Sequence, residues 1–139
     1  MTVAALDVGT KRIGLAISDQ SETTALPLGV VERGVTKMDI HEVAARLADR
    51  GVALLVVGLP LNMDGSEGPA ARQARAFAVR LASELHLKVE MVDERLTSVE
   101  ARERLARAQV GRERRKRAVD AVAATIILEE WISARRGSR

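Results

Sequence analysis

The fold of this chain is decided near its start, where residues 3–19 read VAALDVGTKRIGLAISD. The apolar run before Asp7 is typical of a buried strand, and residues 13–18 are typical of its hairpin partner. A turn around Gly9 and Thr10 joins the two. A carboxylate within such a strand costs free energy unless it is paired or holds a metal ion. Asp7 is therefore the first candidate for chemistry in the chain.

Composition limits the kinds of site that the chain can build. Its 139 residues suit a single domain, residues 1–139, that is large enough for a hydrophobic core. There is no cysteine and only two histidines, so a metal site would rest on carboxylates, which favour hard cations such as Mg²⁺ or Mn²⁺. We see neither a signal peptide nor a run long enough to span a bilayer, and we expect a cytoplasmic protein with no membrane partner.

Hydrophobic periodicity predicts an α/β fold with the element order βββαβαβαα. The predicted strands cover residues 2–8, 13–18, 28–32, 53–58 and 87–92. The predicted helices cover residues 36–50, 70–85, 98–108 and 118–132, and we expect residues 133–139 to form a loose basic tail. Short hairpin strands followed by βα units imply one mixed five-stranded sheet with helices packed on its faces.

Acidic residues stand at three positions where this fold could bring them together. Asp7 lies in the first strand, Asp93 and Glu94 close the last strand, and Asp120 lies on the apolar stripe of the last helix. Converging carboxylates bind divalent metals, and a metal pair can clamp a phosphodiester for hydrolysis. Each acid also has a structural explanation: turn amides for Asp7, pairing with Arg95 for the strand-end acids, and the helix dipole for Asp120. Together these explanations leave an acid on the buried side of three separate elements unexplained.

Basic residues suggest a polyanionic partner. The formal net charge is +3 and the pI is near 9.9, with arginines crowded between Arg102 and Arg117. Such a cluster suits a nucleic acid, and it equally suits a solvated helix face. Lys11 and Arg12 either contact phosphates or decorate an exposed hairpin tip. Asn62 either touches substrate from its loop or caps the turn in which it lies.

Four sequence blocks, in order, resemble the YqgF family, which is also called RuvX: DVGTKRIG at 7–14, VGLPLNMDG at 57–65, DERLTSVEA at 93–101 and VDAVAA at 119–124. The match extends from Asp7 to about Trp131, which is nearly the whole chain. The resemblance implies a ribonuclease-H-like fold related to the RuvC resolvase, and a bacterial cytoplasmic nuclease that uses Mg²⁺ or Mn²⁺. It further implies 5′-end processing of the 16S ribosomal RNA precursor, with resolution of Holliday junctions as the older assignment.

Carried over residue by residue, the resemblance implies a catalytic, metal-holding triad of Asp7, Glu94 and Asp120, with Asp93 as the fallback for the middle position. The residues expected to hold nucleic acid are Lys11, Arg12, Asn62, Arg95, Arg112, Arg114, Arg115, Lys116 and Arg117. The partner would be a structured RNA precursor or branched or single-stranded DNA, and the protein a monomer or homodimer. Two other classes stay open: a non-catalytic nucleic-acid-binding or ribosome-assembly module, and an actin-like ATPase, which would need a second such domain.

Overall fold

Runs of aliphatic residues form five strands of one sheet, and amphipathic segments form the helices that cover it. The computed structural model describes residues 1–94 and 115–137, with side chains described at 1–94 and 121–137. The strands are β1 (Thr2–Val8), β2 (Arg12–Ser18), β3 (Ala25–Glu32), β4 (Val52–Leu59) and β5 (Lys88–Asp93). The helices are α1 (Thr36–Leu47), α2 (Pro69–Leu85) and α3 (Arg115–Gly137).

The sheet is mixed, with the strand order β3-β2-β1-β4-β5. β1 pairs antiparallel with β2, where Leu6 faces Leu15, and parallel with β4, where Leu6 faces Val57. β2 and β3 are antiparallel, and β4 and β5 are parallel. Consequently β1, β3, β4 and β5 all end at one edge of the sheet, here called the carboxyl edge, which also holds the β1–β2 turn. The predicted mixed five-stranded α/β fold is confirmed.

Side-chain alternation gives the sheet two apolar faces. On one face Leu6, Leu15 and Val57 pack with α1 and α2, and Phe77 is among the helix residues buried there. The other face packs against α3 through a second cluster that includes Val3, Ala5, Val56, Ala124, Ile127 and Leu128. β4 is buried without interruption from residue 54 to 59, as expected for a strand that is covered on both faces. Among the residues described, no helix is both long and apolar enough to cross a membrane.

The edge strand β3 is longer than its sequence indicates. It begins at Ala25, so Pro27 lies within the strand and not before it. Pro27 faces Ala16 where the β2–β3 register shifts, and Gly29, two residues further along, has a φ of 142°. An edge strand tolerates proline because its outer side needs no N–H donor. The proline therefore marks an irregular edge and not the start of the strand.

The first helix is shorter than predicted. α1 ends at Leu47 and not at Arg50, and a turn follows in which the Arg50 amide donates to the Leu47 carbonyl at 3.2 Å. Gly51, with a φ of 68°, then redirects the chain into β4. A left-handed glycine ends the segment as the sequence indicates, but a turn separates it from the helix.

The last helix is longer than predicted. α3 continues through Gly137, where the sequence indicates an end at Ile132 and a loose tail. Arg135 Nε lies 3.1 Å from Glu22 Oε1, and its guanidinium carbon lies 4.9 Å from the centroid of the Trp131 ring. The ion pair joins the last turns of the helix to the β2–β3 connection, and the ring contact lies within the helix. The predicted helix at residues 98–108 lies outside the described residues.

Candidate active site

Asp7 lies near the end of β1, on the face that α3 covers. Val3 and Ala5 of the same strand belong to the cluster beneath α3, so alternation places Asp7 on that face. The strand is paired on both sides, and Asp7 itself faces Gly14 of β2. The half-buried carboxylate is thus carried by a strand in the middle of the sheet.

Glu94 directly follows β5, and its carboxylate lies over Gly58 of β4. A Cβ atom built on Gly58 would run into Glu94 Oε1 and would lie 2.6 Å from Ile127 Cδ1. Gly58 is on the same face as Val56, which packs beneath α3. Only a residue without a side chain leaves this space to the Glu94 carboxylate. Asp7 and Glu94 therefore belong to one face of the sheet, with Gly58 on the strand between them.

The neighbouring acid, Asp93, is the last residue of β5 and belongs to the other face. Val89 and Met91 pack on the face covered by α1 and α2. Because side chains alternate along a strand, Asp93 lies on that face, away from Asp7. Of the two acids at this strand end, Glu94 is the one that the geometry brings to the side of Asp7.

α3 crosses its face of the sheet antiparallel to β1. Ile127 lies over Gly58 near the carboxyl edge, whereas Arg135 reaches Glu22 in the β2–β3 connection at the opposite edge. The N-terminus of α3 therefore points toward the carboxyl edge. Asp120 belongs to the backbone of this helix, seven residues or about two turns before Ile127, and its side chain is outside what the structure describes.

The β1–β2 turn brings basic residues to the carboxyl edge. The Gly9 amide donates to the Arg12 carbonyl at 2.8 Å, and a Cβ on Gly9 would lie 2.7 Å from that oxygen. The turn is too tight for any residue except glycine at this position. Arg12 Nε donates to Glu32 Oε1 at 3.2 Å on the protein surface, and Lys11 is exposed. The turn thus presents Lys11 to solvent, four residues along the chain from Asp7.

The loop after β4 is held by its own polar groups. The Asn62 amide donates to the Ser66 carbonyl at 2.9 Å, and Asn62 Nδ2 donates to Ser66 Oγ at 3.0 Å. Asn62 therefore stabilises its turn, which is one of the two roles predicted for it.

The end of the same loop is held by an ion pair with α2. Arg75 donates to both carboxylate oxygens of Glu67, at 2.9 and 3.1 Å, and these bonds hold the pKa of Glu67 below its ordinary value.

Several predicted site residues fall outside the description. Arg95, Arg112 and Arg114 lie outside the described residues, and Arg115, Lys116 and Arg117 are described only as backbone of α3. Among the side chains described, no three acids or histidines lie together as a metal site would require. Asp7 and Glu94 supply two oxygen donors of the kind that Mg²⁺ and Mn²⁺ prefer, and α3 carries the third predicted acid.

Sequence reasoning missed residues that shape this site. Gly58 continues an apolar strand in the sequence. The only sequence signal for its role is that a glycine within a strand often marks a place where another group approaches the backbone closely. Asp39 is 3% exposed in the first turn of α1, where an acid is ordinarily assigned to the helix dipole. Arg33 joins Asp39 to the β1–β2 turn, and no local pattern in the sequence signals that contact.

Comparison with known proteins shows close relatives over nearly the full chain. A family model described as RuvX, Holliday junction resolvase, matches residues 1–134. A protein of Myxococcus xanthus is 46% identical over 136 residues, which cover 98% of this chain and 90% of the relative. A protein of Anaeromyxobacter sp. (strain K) is 47% identical over 136 residues, covering 97% of this chain and 98% of the relative. Both carry the provisional name pre-16S rRNA nuclease.

Solved structures share the fold at low sequence identity. RuvC from Thermus thermophilus matches with a TM-score of 0.60 at 18% identity, covering 99% of this chain and 97% of that one. A fowlpox virus resolvase, solved in complex with Holliday junction DNA, matches with a TM-score of 0.60 at 13% identity, covering 96% and 98%. The likeness confirms the predicted RuvC-like, ribonuclease-H-like fold.

Proposed function

The chain belongs to the RuvX family, and we propose that it is a metal-dependent nuclease. Its active site, formed by Asp7, Glu94 and Asp120, would hydrolyse phosphodiester bonds. The observation that carries this proposal is the Glu94 carboxylate seated over Gly58, on the face of the sheet that also carries Asp7. Two carboxylates from separate strands, beneath a helix that brings a third acid, form a donor set suited to a phosphodiester-cleaving metal site.

The donor chemistry fits Mg²⁺ or Mn²⁺, which take carboxylate oxygens as ligands. Asp7, Glu94 and Asp120 would hold the cation. A divalent cation held there would supply Lewis-acid stabilisation of the phosphate and would activate a water for attack. Asp7 offers its oxygens from a central strand, and Glu94 reaches the same face because Gly58 leaves the space free. Both donors are thereby held in place before the substrate binds, and such preorganised groups contribute most to electrostatic stabilisation of a transition state.

Basic and polar residues around the acids would hold the phosphates on either side of the cleaved bond. Lys11 and Arg12 extend from the turn that follows Asp7, and Asn62 belongs to the loop after β4 at the same edge of the sheet. Further contacts are proposed for Arg95, Arg112, Arg114, Arg115, Lys116 and Arg117. Phosphate contacts fix the register of a nucleic acid without reading its sequence, so the shape of the substrate would set the position of cleavage.

The substrate that we propose is the 5′ end of the 16S ribosomal RNA precursor. Relatives that are 46% and 47% identical over nearly the whole chain carry pre-16S rRNA in their names, and the 5′ end is the part of our proposal that follows the family resemblance. The family model is described as a Holliday junction resolvase, which makes a four-way DNA junction the second candidate. One acidic site of this kind can cut either backbone, since the phosphodiester is common to both.

A side-by-side cleavage assay tests the site and the substrate together. Precursor ribosomal RNA, a four-way DNA junction and single-stranded DNA are incubated with the protein and Mn²⁺. We expect wild type to shorten the 5′ end of the RNA, and Asp7→Asn to lower that rate by at least about 10²-fold, because a charged donor is lost without a change in volume. Asp93→Asn is the matched control: it removes the same charge from the other face of the sheet and should cleave like wild type.

Three outcomes would count against the proposal. Cleavage at the wild-type rate by purified Asp7→Asn would remove Asp7 from the mechanism. Cleavage of the four-way junction but not of the RNA would make the DNA junction, and not the ribosomal RNA precursor, the substrate. A folded protein that cuts nothing and gives no heat on Mn²⁺ titration would be a non-catalytic nucleic-acid-binding module.

A further inference from the structure

Arg33, just after β3, makes a set of contacts that the proposed chemistry does not use. Its side chain is 19% exposed, and its Nε donates to Oδ2 of Asp39 at 3.0 Å. Its Nη1 donates to the carbonyl oxygen of Gly9 at 3.0 Å. The guanidinium carbon also lies 5.4 Å from the centroid of the buried Phe77 ring. One side chain thus joins α1, α2 and the β1–β2 turn.

Asp39 fixes the orientation of this arginine. Its side chain is only 5% exposed, and it also accepts the Gly34 amide at 3.0 and 3.2 Å. A buried ion pair of this kind is weak evidence for stability, because the desolvation of two charges offsets their attraction. The stability of the fold therefore does not account for the pair.

Arg33 holds the β1–β2 turn. The Arg33 guanidinium binds the Gly9 carbonyl, and the Arg33 amide donates to the Lys11 carbonyl at 2.8 Å. Two of the backbone carbonyls of the turn are thus fixed by one residue from a different element. The turn begins two residues after Asp7 and carries Lys11.

We propose that Arg33, oriented by Asp39, is a positioning residue: it holds the β1–β2 turn, and through it the placement of Asp7 for metal and of Lys11 for phosphate. This inference rests on the proposed function. Arginine suits the task because its planar fork can bind the Asp39 carboxylate and the Gly9 carbonyl in different directions at once. The single ammonium of a lysine would keep the charge opposite Asp39 but would release Gly9.

Arg33→Lys is therefore the informative variant, measured by amide hydrogen exchange and by Mn²⁺ calorimetry. We expect exchange of the Gly9 amide to accelerate about tenfold, equivalent to 1.4 kcal/mol, while amides of the central strand β4 keep their wild-type rates. We expect Mn²⁺ to bind several-fold more weakly and cleavage to slow roughly 10- to 100-fold, the scale of a small misplacement of catalytic groups. Asp39→Asn should shift all three quantities in the same direction, and it carries the test if Arg33→Lys does not fold.

Two controls separate positioning from loss of stability. Arg46→Lys alters an exposed ion pair with Glu42 within α1, seven residues or about two turns after Asp39, and should match wild type in every measurement. Ile40→Val removes a buried methyl group next to Asp39 and lowers stability, but it should leave Gly9 exchange and Mn²⁺ affinity unchanged.

Wild-type Gly9 exchange or wild-type Mn²⁺ affinity in folded Arg33→Lys would overturn the inference, and so would equal weakening of Mn²⁺ binding by Ile40→Val. Neither measurement requires cleavage. An inactive wild-type protein would therefore contradict the proposed nuclease, while the comparison of Arg33→Lys with wild type would still decide the positioning role.

Discussion

At the scale of single residues, the candidate site depends on Gly58 as well as on its acids. An added Cβ there would run into Glu94 Oε1 and approach Ile127 Cδ1 to 2.6 Å. Ile127 is fully buried, and a close-packed core offers it little room to move. Glu94 lies just after β5, is only half-buried and has a flexible side chain, so the displacement would fall mainly on its carboxylate.

We therefore expect Gly58→Ala to impair metal binding and cleavage more than it impairs the fold. One extra methyl group in a packed region costs about 1–3 kcal/mol of unfolding free energy. A shift of the Glu94 carboxylate by about 1 Å would slow cleavage roughly 10²-fold. Urea unfolding, Mn²⁺ calorimetry and cleavage rates measure the three effects. Gly137→Ala is the control, since a Cβ there meets nothing within 4 Å, and unchanged Mn²⁺ affinity in Gly58→Ala would show that Glu94 does not depend on this glycine.

The residues of the site differ in how far sequence could predict them. Asp7 stands out because a charge in an apolar strand conflicts with local patterning. Choosing between Asp93 and Glu94 required the face on which each lies, which depends on where β5 ends. The roles of Gly58 and Asp39 depend on elements that meet only in the tertiary structure, so periodicity within one segment carries no trace of them.

At the scale of elements, the strands with strong patterns were predicted well. The first strand follows from the apolar run before Asp7, the core of β4 from an uninterrupted apolar run, and the hairpin from the glycine turn between β1 and β2. The errors occur where tertiary contacts override local signals. The sequence indicates a boundary at Pro27, which in fact lies within an edge strand, and the end of α3 is fixed by Arg135. The order of the strands across the sheet is likewise set by packing and not by any single segment.

The end of α3 leads to a prediction about the last residues of the chain. Arg135 pairs with Glu22, whose side chain is 14% exposed, and it stacks on Trp131. Because Arg135 is 36% exposed, solvent screens the ion pair, which contributes up to about 1 kcal/mol, and the cation–π contact contributes about 0.5–1 kcal/mol. Deleting residues 133–139 should therefore lower the free energy of unfolding by about 0.5–2 kcal/mol, measured by urea denaturation. Deleting residues 138–139 alone is the control. An unchanged urea midpoint for the longer deletion would mean that residues 133–139 behave as the loose tail that the sequence indicates.

At the scale of the whole molecule, the carboxyl edge of the sheet gathers the features that a polyanion would meet. Asp7 and Glu94 lie there, and so do the N-termini of α1 and α2, which follow β3 and β4. Helix N-termini carry partial positive charge, and open α/β sheets bind ligands outside the carboxyl ends of their strands. The exposed Lys11 adds a full charge at this edge, whereas Lys88, which is also exposed, begins β5 at the opposite edge.

This polarity predicts that nucleic-acid binding depends more on where a positive charge lies than on the net charge of the protein. Lys11→Gln should weaken binding of a precursor RNA fragment to the Asp7→Asn protein and reduce the slope of log affinity against log salt by about 0.7–0.9, the value for one phosphate contact. Lys88→Gln removes the same charge from the opposite edge and should leave the slope unchanged. Fluorescence anisotropy titrations between about 50 and 200 mM salt give both slopes. Equal losses in the two variants would mean that overall charge, and not the carboxyl edge, attracts the nucleic acid, and the path of the substrate would then have to lie elsewhere on the surface.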